Sequence, residues 1–222
     1  MNMQTGEIRR KTPEERAVLR AGLFDTIKNQ VGQAAEKLKG GPVQRLKLPP
    51  TQQQNADTCL FACVIAIKRA IAERTGKAYL TPEDHTASQA REAGVLRNGG
   101  IFPNQETQAF LKEAFNLDTQ IVGNSAPASV KMEAIVSALE KGQVPLLSYT
   151  LGGSLSHWIA LDDIRRVNGE IEVTAMNPMF SRDLETMTDE VFAQRLIEGE
   201  HTPGGTGSGL MIVQIPPEAL QP

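Results

Sequence analysis

The chain has 222 residues, of which 40% are apolar and 22% charged, a composition typical of one globular domain with at most a small appendage. Its 23 Lys and Arg residues face 26 Asp and Glu residues and only 5% of residues are aromatic, so nucleic acid is a poor candidate partner. No run approaches the roughly 18 apolar residues of a membrane span, and the polar residues 1–11 lack a signal-peptide core. We therefore expect a cytoplasmic protein without a membrane span.

Residues 1–48 form a separate, basic unit. They carry ten Lys or Arg and five Asp or Glu, a net charge of +5, whereas the remainder has a net charge of −8. Thr12, followed by proline and, three residues on, by glutamate, is typical of a capped helix start. An apolar residue then recurs every three or four positions, at Leu19, Leu23, Ile27, Val31, Ala34 or Ala35, and Leu38. We predict an amphipathic helix over residues 13–39, ended by Gly40-Gly41, then an extended linker and a main domain over residues 49–222.

The main domain opens with a helix that is apolar on every side. Asp57 and Thr58 can cap this helix, and its first turns run Cys59-Leu60-Phe61-Ala62-Cys63-Val64-Ile65-Ala66-Ile67. A helix start without a polar face has to be buried, so we expect it in the core of the domain. Gly76 is predicted to end the helix.

The rest of the main domain has helices first and strands later. The predicted helices are residues 104–115, 129–141 and 188–197, and the predicted strands are residues 144–149, 158–164, 171–176 and 210–215. The glycine-rich residues 203–209 are predicted to be a loop. This order predicts an α+β fold.

The candidate nucleophile is a cysteine at the start of the apolar helix. Unpaired N–H groups and the helix dipole lower the pKa of a thiol at such a place, and Cys59 lies there. Cys63, one turn deeper, is interpreted as a core residue, and the alternative is that both cysteines are core residues. Two cysteines four residues apart give no disulfide framework, and with scattered histidines they give no metal site. No metal or cofactor is therefore expected.

The candidate base is one of three histidines, because a thiol nucleophile of this type needs an imidazole nearby. His157 opens a predicted strand after the flexible residues 152–156, and active sites favour sheet ends beside loops. His85 and His201 lie in polar stretches close to prolines and are interpreted as solvent-exposed loop residues.

The predicted hairpin gives the histidine a partner. If residues 167–169 form a three-residue turn, His157 and Asn177 become diagonal neighbours on one face of the sheet. Asp162 then falls on the opposite face, and Asp163 lies roughly 20 Å away along the strand, so neither aspartate can orient the imidazole. A two-residue turn would move Asn177 to the wrong face.

The order of cysteine, histidine and asparagine, with the cysteine opening a helix and the other two on a later hairpin, resembles papain-like cysteine peptidases. Within them the sequence is most similar to the bacterial group that includes the double-glycine, bacteriocin-processing peptidases. Those enzymes carry a glutamine six residues before the nucleophile, the position of Gln53 here, with Gln52 and Gln54 as competing positions. Their third catalytic residue is usually an aspartate before proline, and Asn177-Pro178 is closer to the asparagine of papain. The similarity spans residues 52–198.

The resemblance implies a papain-like fold in which a central nucleophile helix packs on an antiparallel sheet. It implies a triad of Cys59, His157 and Asn177, with Gln53 donating to the oxyanion. The expected reaction is thiol-dependent acyl transfer that hydrolyses a peptide or isopeptide bond of a peptide or protein substrate. The alternatives are a transamidase, a glutamine deamidase, a domain that has lost activity and binds peptides, and a bacterial effector exported without a signal peptide.

The apolar stripe of the front helix needs a surface that covers it. It can lie in the groove beside Cys59 as a propeptide does, pack on the back of the main domain, or bind a partner or an anionic membrane through Arg16, Arg20 and Lys28. The propeptide alternative would fit self-cleavage at Gly41, because double-glycine peptidases cut after such a pair.

Overall fold

The structure is a computed structural model, and it describes residues 12–39, 45–55, 57–79, 83–96, 101–123, 125–150, 156–179, 183–197 and 209–221. Its helices are α1 (Pro13–Leu38), α2 (Cys59–Thr75), α3 (Glu83–Glu92), α4 (Gln105–Phe115), α5 (Ala128–Glu140) and α6 (Asp189–Ile197). Its strands are β1 (Thr119–Val122), β2 (Val144–Thr150), β3 (Ser156–Val167), β4 (Glu170–Met176), β5 (Glu185–Thr188) and β6 (Gly209–Val213).

The strands form one sheet in the order β1-β6-β2-β3-β4-β5, and every neighbouring pair is antiparallel. Side chains alternate between the two faces of β3, so Trp158 and Ala160 join one core while Ile159 and Leu161 join the other. The first core contains α2, α3 and α4, and the second contains α1, α5 and α6. The predicted fold class, α+β with the Cys59 helix packed on an antiparallel sheet, is confirmed.

The front helix α1 lies on the face of the sheet opposite to α2. Its predicted capping box is present, since the backbone N–H of Glu15 donates to Thr12 Oγ1 and the backbone N–H of Thr12 donates to a Glu15 carboxylate oxygen. The second half of its apolar stripe is buried, whereas Leu19 in the first half is 50% exposed. Of the three surfaces considered, α1 therefore occupies the back of the sheet. Gly40-Gly41 lies outside the described residues, and the domain boundary near residue 48 stays a prediction.

Among the described residues, four short elements escaped the sequence analysis: α3, β1, β5 and the 3-10 helix Pro217–Ala219. Each is ten residues or shorter, and β1 and β5 have only four residues apiece, too few to show a period. His85, predicted to lie in a loop, is instead an exposed residue of α3. No helix in the part of the chain that the structure describes is both long and apolar enough to cross a membrane.

Candidate active site

The start of α2 is held by a tight turn. Thr58 occupies the N-cap position, but its hydroxyl donates to the carbonyl of Asn55 at 2.8 Å and does not cap the helix, contrary to the prediction. The Asn55 N–H in turn donates to the Thr58 hydroxyl at 3.2 Å. The turn therefore fixes where the first residue of α2, Cys59, enters the core.

The Cys59 thiol lies against the backbone of β3. Its side chain is buried, and burial raises the pKa of the thiol. Hydrogen bonding from the backbone of Trp158, Leu60 and Cys59 itself lowers this pKa, but less than burial raises it. The predicted lowering of the thiol pKa is therefore wrong in its net sign, because desolvation outweighs the N–H groups of the helix start.

The two cysteines flank one residue of β3. The Cys63 thiol donates to the carbonyl of Trp158 at 3.5 Å, while Cys59 meets the backbone of the same residue. The pairing of β3 with β4 ends at Ala160 and Met176, before Trp158 is reached. Cys63 is fully buried, which confirms its place in the core. Both cysteines therefore meet the backbone of β3 one residue along from His157.

The hairpin brings His157 and Asn177 together by a route that differs from the predicted one. The turn has two residues, Asn168 and Gly169, both with positive φ (51° and 90°), so the three-residue turn is wrong. A β-bulge between Leu161 and Asp163 adds one residue to β3 and offsets the shorter turn. Beyond the bulge the register is the predicted one, and His157 Nε2 lies 2.7 Å from Asn177 Oδ1.

The imidazole of His157 is enclosed. Its residue is 3% exposed, and the ring of Tyr149 meets it edge-on at 5.7 Å between centroids. Burial lowers the pKa of His157, and the hydrogen bond with Asn177 raises this pKa by less. The imidazole is therefore neutral at neutral pH. Burial raises the pKa of Tyr149 to about 12, and the charge of Cys59 adds a small contribution, so the thiol lies within electrostatic range of this cluster.

Two charged residues behind Asn177 escaped the sequence analysis. Asn177 Nδ2 donates to Glu185 Oε2 at 2.8 Å, and Arg195 donates to both oxygens of that carboxylate at 2.7 Å. The Arg195 guanidinium also lies 4.5 Å from the centroid of the Tyr149 ring. The available signal was that Glu185 shares a strand face with buried Met187, but a four-residue strand does not reveal its faces in the sequence.

Gln53 lies beside the same cluster. Its backbone N–H donates to the carbonyl of Pro178 at 3.0 Å, which places it next to Asn177 in space. Its side-chain Nε2 donates to the carbonyl of Asn55 at 3.0 Å, and its Oε1 is buried without a hydrogen-bond partner among the described residues. Gln52 and Gln54 are both exposed. The role of Gln53 as an oxyanion donor stays a prediction.

Comparisons with known proteins add little to this geometry. No protein-family model matches the chain, and no curated protein matches its sequence. A crystal structure of UfSP from C. elegans is similar in structure, with a TM-score of 0.42 and 13% sequence identity. The similarity covers 80% of this chain and 35% of that chain, so the chain spans about a third of UfSP. No comparison supports the predicted similarity to the double-glycine peptidases.

Proposed function

We propose that the chain is a papain-like cysteine peptidase that hydrolyses a peptide or isopeptide bond through Cys59, His157 and Asn177. The proposal depends chiefly on one observation, the 2.7 Å hydrogen bond between His157 Nε2 and Asn177 Oδ1, beside the strand backbone that meets the Cys59 thiol. This bond engages Nε2 and leaves Nδ1 of the imidazole to take a proton. The arrangement has the elements of a nucleophile, a base and a group that orients the base.

The reaction proceeds in two halves. His157 Nδ1 takes the thiol proton of Cys59 while the sulfur attacks the substrate carbonyl, forming a C–S bond and an oxyanion. When the oxyanion collapses, the C–N bond breaks and the imidazolium returns its proton to the leaving amine. Water then attacks the thioester and gives one proton to His157. The C–S bond breaks, the imidazolium returns that proton to the sulfur of Cys59, and the carboxylic acid is released. The Cys59 backbone N–H and the Gln53 amide are the proposed donors to the oxyanion.

The resting site holds a neutral thiol and a neutral imidazole. Burial raises the pKa of Cys59 and lowers the pKa of His157, so both shifts disfavour a thiolate–imidazolium pair before substrate arrives. Proton transfer is then coupled to attack on the carbonyl. The Gln53 side chain also has to turn from the carbonyl of Asn55 toward the oxyanion, which its backbone anchor on Pro178 permits.

A second candidate is a module that binds peptides without cleaving them. The same burial of the thiol and the engaged Gln53 amide favour it, since neither group is set for chemistry without rearrangement. Transamidation and glutamine deamidation use the same thioester. In transamidation an amine attacks the thioester in place of water, and in deamidation the acyl group comes from a glutamine side chain.

The test is to incubate the full chain with a peptide mixture from a digested proteome, with and without a primary amine, and to analyse the products by mass spectrometry. Hydrolysis gives new termini, transamidation gives amine adducts, and deamidation converts glutamine to glutamate. The Cys59→Ala variant should give no product, while the Cys63→Ala variant, altered at the other cysteine that meets Trp158, should keep turnover. Peptide retention without any product, equal for the native chain and Cys59→Ala, would favour the binding module.

A further inference from the structure

A continuous series of hydrogen bonds runs from the imidazole to a partly buried ion pair. It links His157 Nε2 to Asn177 Oδ1, Asn177 Nδ2 to Glu185, and Glu185 to both terminal nitrogens of Arg195, each at 2.7–2.8 Å. The side chains of Glu185 and Arg195 are 14% and 18% exposed, so water competes little for these bonds. Through such a series of hydrogen bonds, the position of the group at one end can fix the orientation of the group at the other end.

The orientation of the Asn177 amide follows from its neighbours. An ionised carboxylate only accepts hydrogen bonds. Burial raises the pKa of Glu185, but hydrogen bonds from Arg195 and Asn177 together with nearby positive charge lower this pKa by more, so Glu185 is ionised. The amide nitrogen must therefore face Glu185. The backbone N–H of Met179, which can only donate, points at Asn177 Oδ1 from another side at 3.0 Å. Both contacts fix the oxygen of Asn177 toward His157.

The orientation of the amide then fixes the proton on the imidazole. Because Asn177 Oδ1 can only accept, the neutral His157 must carry its proton on Nε2. Nδ1 keeps its lone pair, which is what a base for the Cys59 proton requires. With Asn177 turned over, its NH₂ group would face Nε2 and favour the opposite tautomer, which has no lone pair on Nδ1.

We propose that Glu185, held in place by Arg195, is a positioning residue that selects the Nε2-protonated tautomer of His157 through the Asn177 amide. This inference rests on the proposed function for its catalytic meaning, but the tautomer itself is independent of any substrate. Arg195 supports the arrangement a second time, because its guanidinium stacks on Tyr149, whose ring borders the imidazole. Glu185 and Arg195 thus belong to the site through their contacts with Asn177 and Tyr149.

The test is nitrogen-15 NMR of the full chain with labelled histidine at about pH 8, with His157 assigned from a His157→Gln variant. The native chain should show Nε2 protonated and Nδ1 unprotonated. The Glu185→Gln variant can both donate to and accept from Asn177, so it should show a mixture of tautomers and, given the proposed function, lose roughly 10–100-fold in turnover. Glu185→Asp, which only accepts, should recover the native tautomer in part.

The matched control is Glu172→Gln on the neighbouring strand β4, which removes the more exposed ion pair with Arg165 and should leave the tautomer unchanged. A native chain protonated on Nδ1, or a Glu185→Gln variant with the native tautomer, would overturn the inference. A tautomer that depends on Glu185 in a chain without any Cys59-dependent product would overturn the proposed function alone.

Discussion

Two partly buried carboxylates near the β3–β4 hairpin behave in opposite ways. Glu185 lies on β5, and Asp162 lies at the bulge within β3. Glu185, beside the open end, accepts two bonds from Arg195 and one from Asn177, and its pKa is lowered despite its burial. Asp162, at the bulge, accepts from the backbone N–H of Leu48 at 3.3 Å, and burial raises its pKa to about 6. Burial alone penalises both charges, so the donors that surround a carboxylate decide its state.

This contrast explains why the open end is suited to chemistry. A carboxylate that stays ionised at neutral pH holds Asn177 in one orientation, whereas one with a pKa of about 6 changes its hydrogen bonding near neutrality. The bulge has another role: its extra residue restores the register on which the contact between His157 and Asn177 depends. Glu185 holds the partner of the imidazole, and the bulge aligns the two strands that carry them.

The largest expected difference between the open end of the hairpin and the bulge is in catalysis. His157→Ala should lower turnover by about 10²–10⁴-fold, because it removes the base. Asn177→Ala should cost less, because the imidazole can still sample the productive pose, and Asp163→Ala at the bulge should change turnover little. Steady-state rates on a substrate found in the peptide mixture measure all three. An inert Asn177→Ala together with a crippled Asp163→Ala would show that the residues at the bulge carry the site.

The next difference is in stability. Glu185→Leu should lower the free energy of unfolding by about 3 kcal/mol, because it removes the carboxylate that accepts from both terminal nitrogens of the partly buried Arg195 guanidinium. The double variant Glu185→Leu with Arg195→Leu should recover much of this loss, as measured by urea denaturation. Glu172→Leu, which removes the partner of the exposed Arg165, should cost less than about 1 kcal/mol. Equal losses for Glu185→Leu and Glu172→Leu would contradict the importance of the partly buried pair.

The third difference is the direction in which each carboxylate's contribution to stability changes with pH. Between the ordinary Asp pKa of 3.8 and about 6, folded Asp162 binds more protons than the unfolded chain, so its contribution to stability falls as pH rises through that window. Asp162→Asn should remove this contribution. When the pH falls from about 7 to about 4, the free energy of unfolding of the native chain should therefore rise by roughly 2 kcal/mol relative to that of the variant.

Glu185 should show the opposite behaviour. Its pKa is lowered from 4.5, so its stabilising contribution is present above that value and is lost as pH falls through the folded pKa. The loss of stability caused by Glu185→Gln should therefore become smaller in acid. Asp162→Asn should become less stable relative to the native chain over the same pH range. Urea denaturation across the acid range tests both, and native and variant curves that stay parallel would refute the assigned pKa directions.

The smallest effect concerns the turn that closes the hairpin. Gly169 has a φ of +90°, so Gly169→Ala should lower the free energy of unfolding by about 1 kcal/mol or more. Gly22 in α1 has open space around its Cβ position, so the same change there should raise stability by roughly 0.5–1 kcal/mol. Opposite shifts in the urea midpoint would support the two-residue turn, and a neutral Gly169→Ala would argue against it.

Local patterns in the sequence predicted most of the fold. The capping box at Thr12, the apolar front of α2 and the glycine that ends it at Gly76 (φ 67°) all appear where their patterns indicate. Each of these features depends on residues within a few positions of one another, so the chain encodes them locally. The pairing of His157 with Asn177 was also expected, but the route to it was not. Whether a strand contains a bulge depends on its packing. At this bulge the backbone N–H of Leu48 donates to the Asp162 carboxylate, and such a contact from a distant segment cannot be recognised in a strand pattern.

By itself, the sequence determined that the protein is α+β, which helix carries the candidate nucleophile, and which histidine and asparagine accompany it. Only the tertiary structure decided that burial keeps the Cys59 thiol protonated, that α1 covers the back of the sheet, and that Glu185 and Arg195 stand behind Asn177. These outcomes depend on desolvation and on contacts between distant segments. Their energies arise only when the chain is folded, so no local pattern records them.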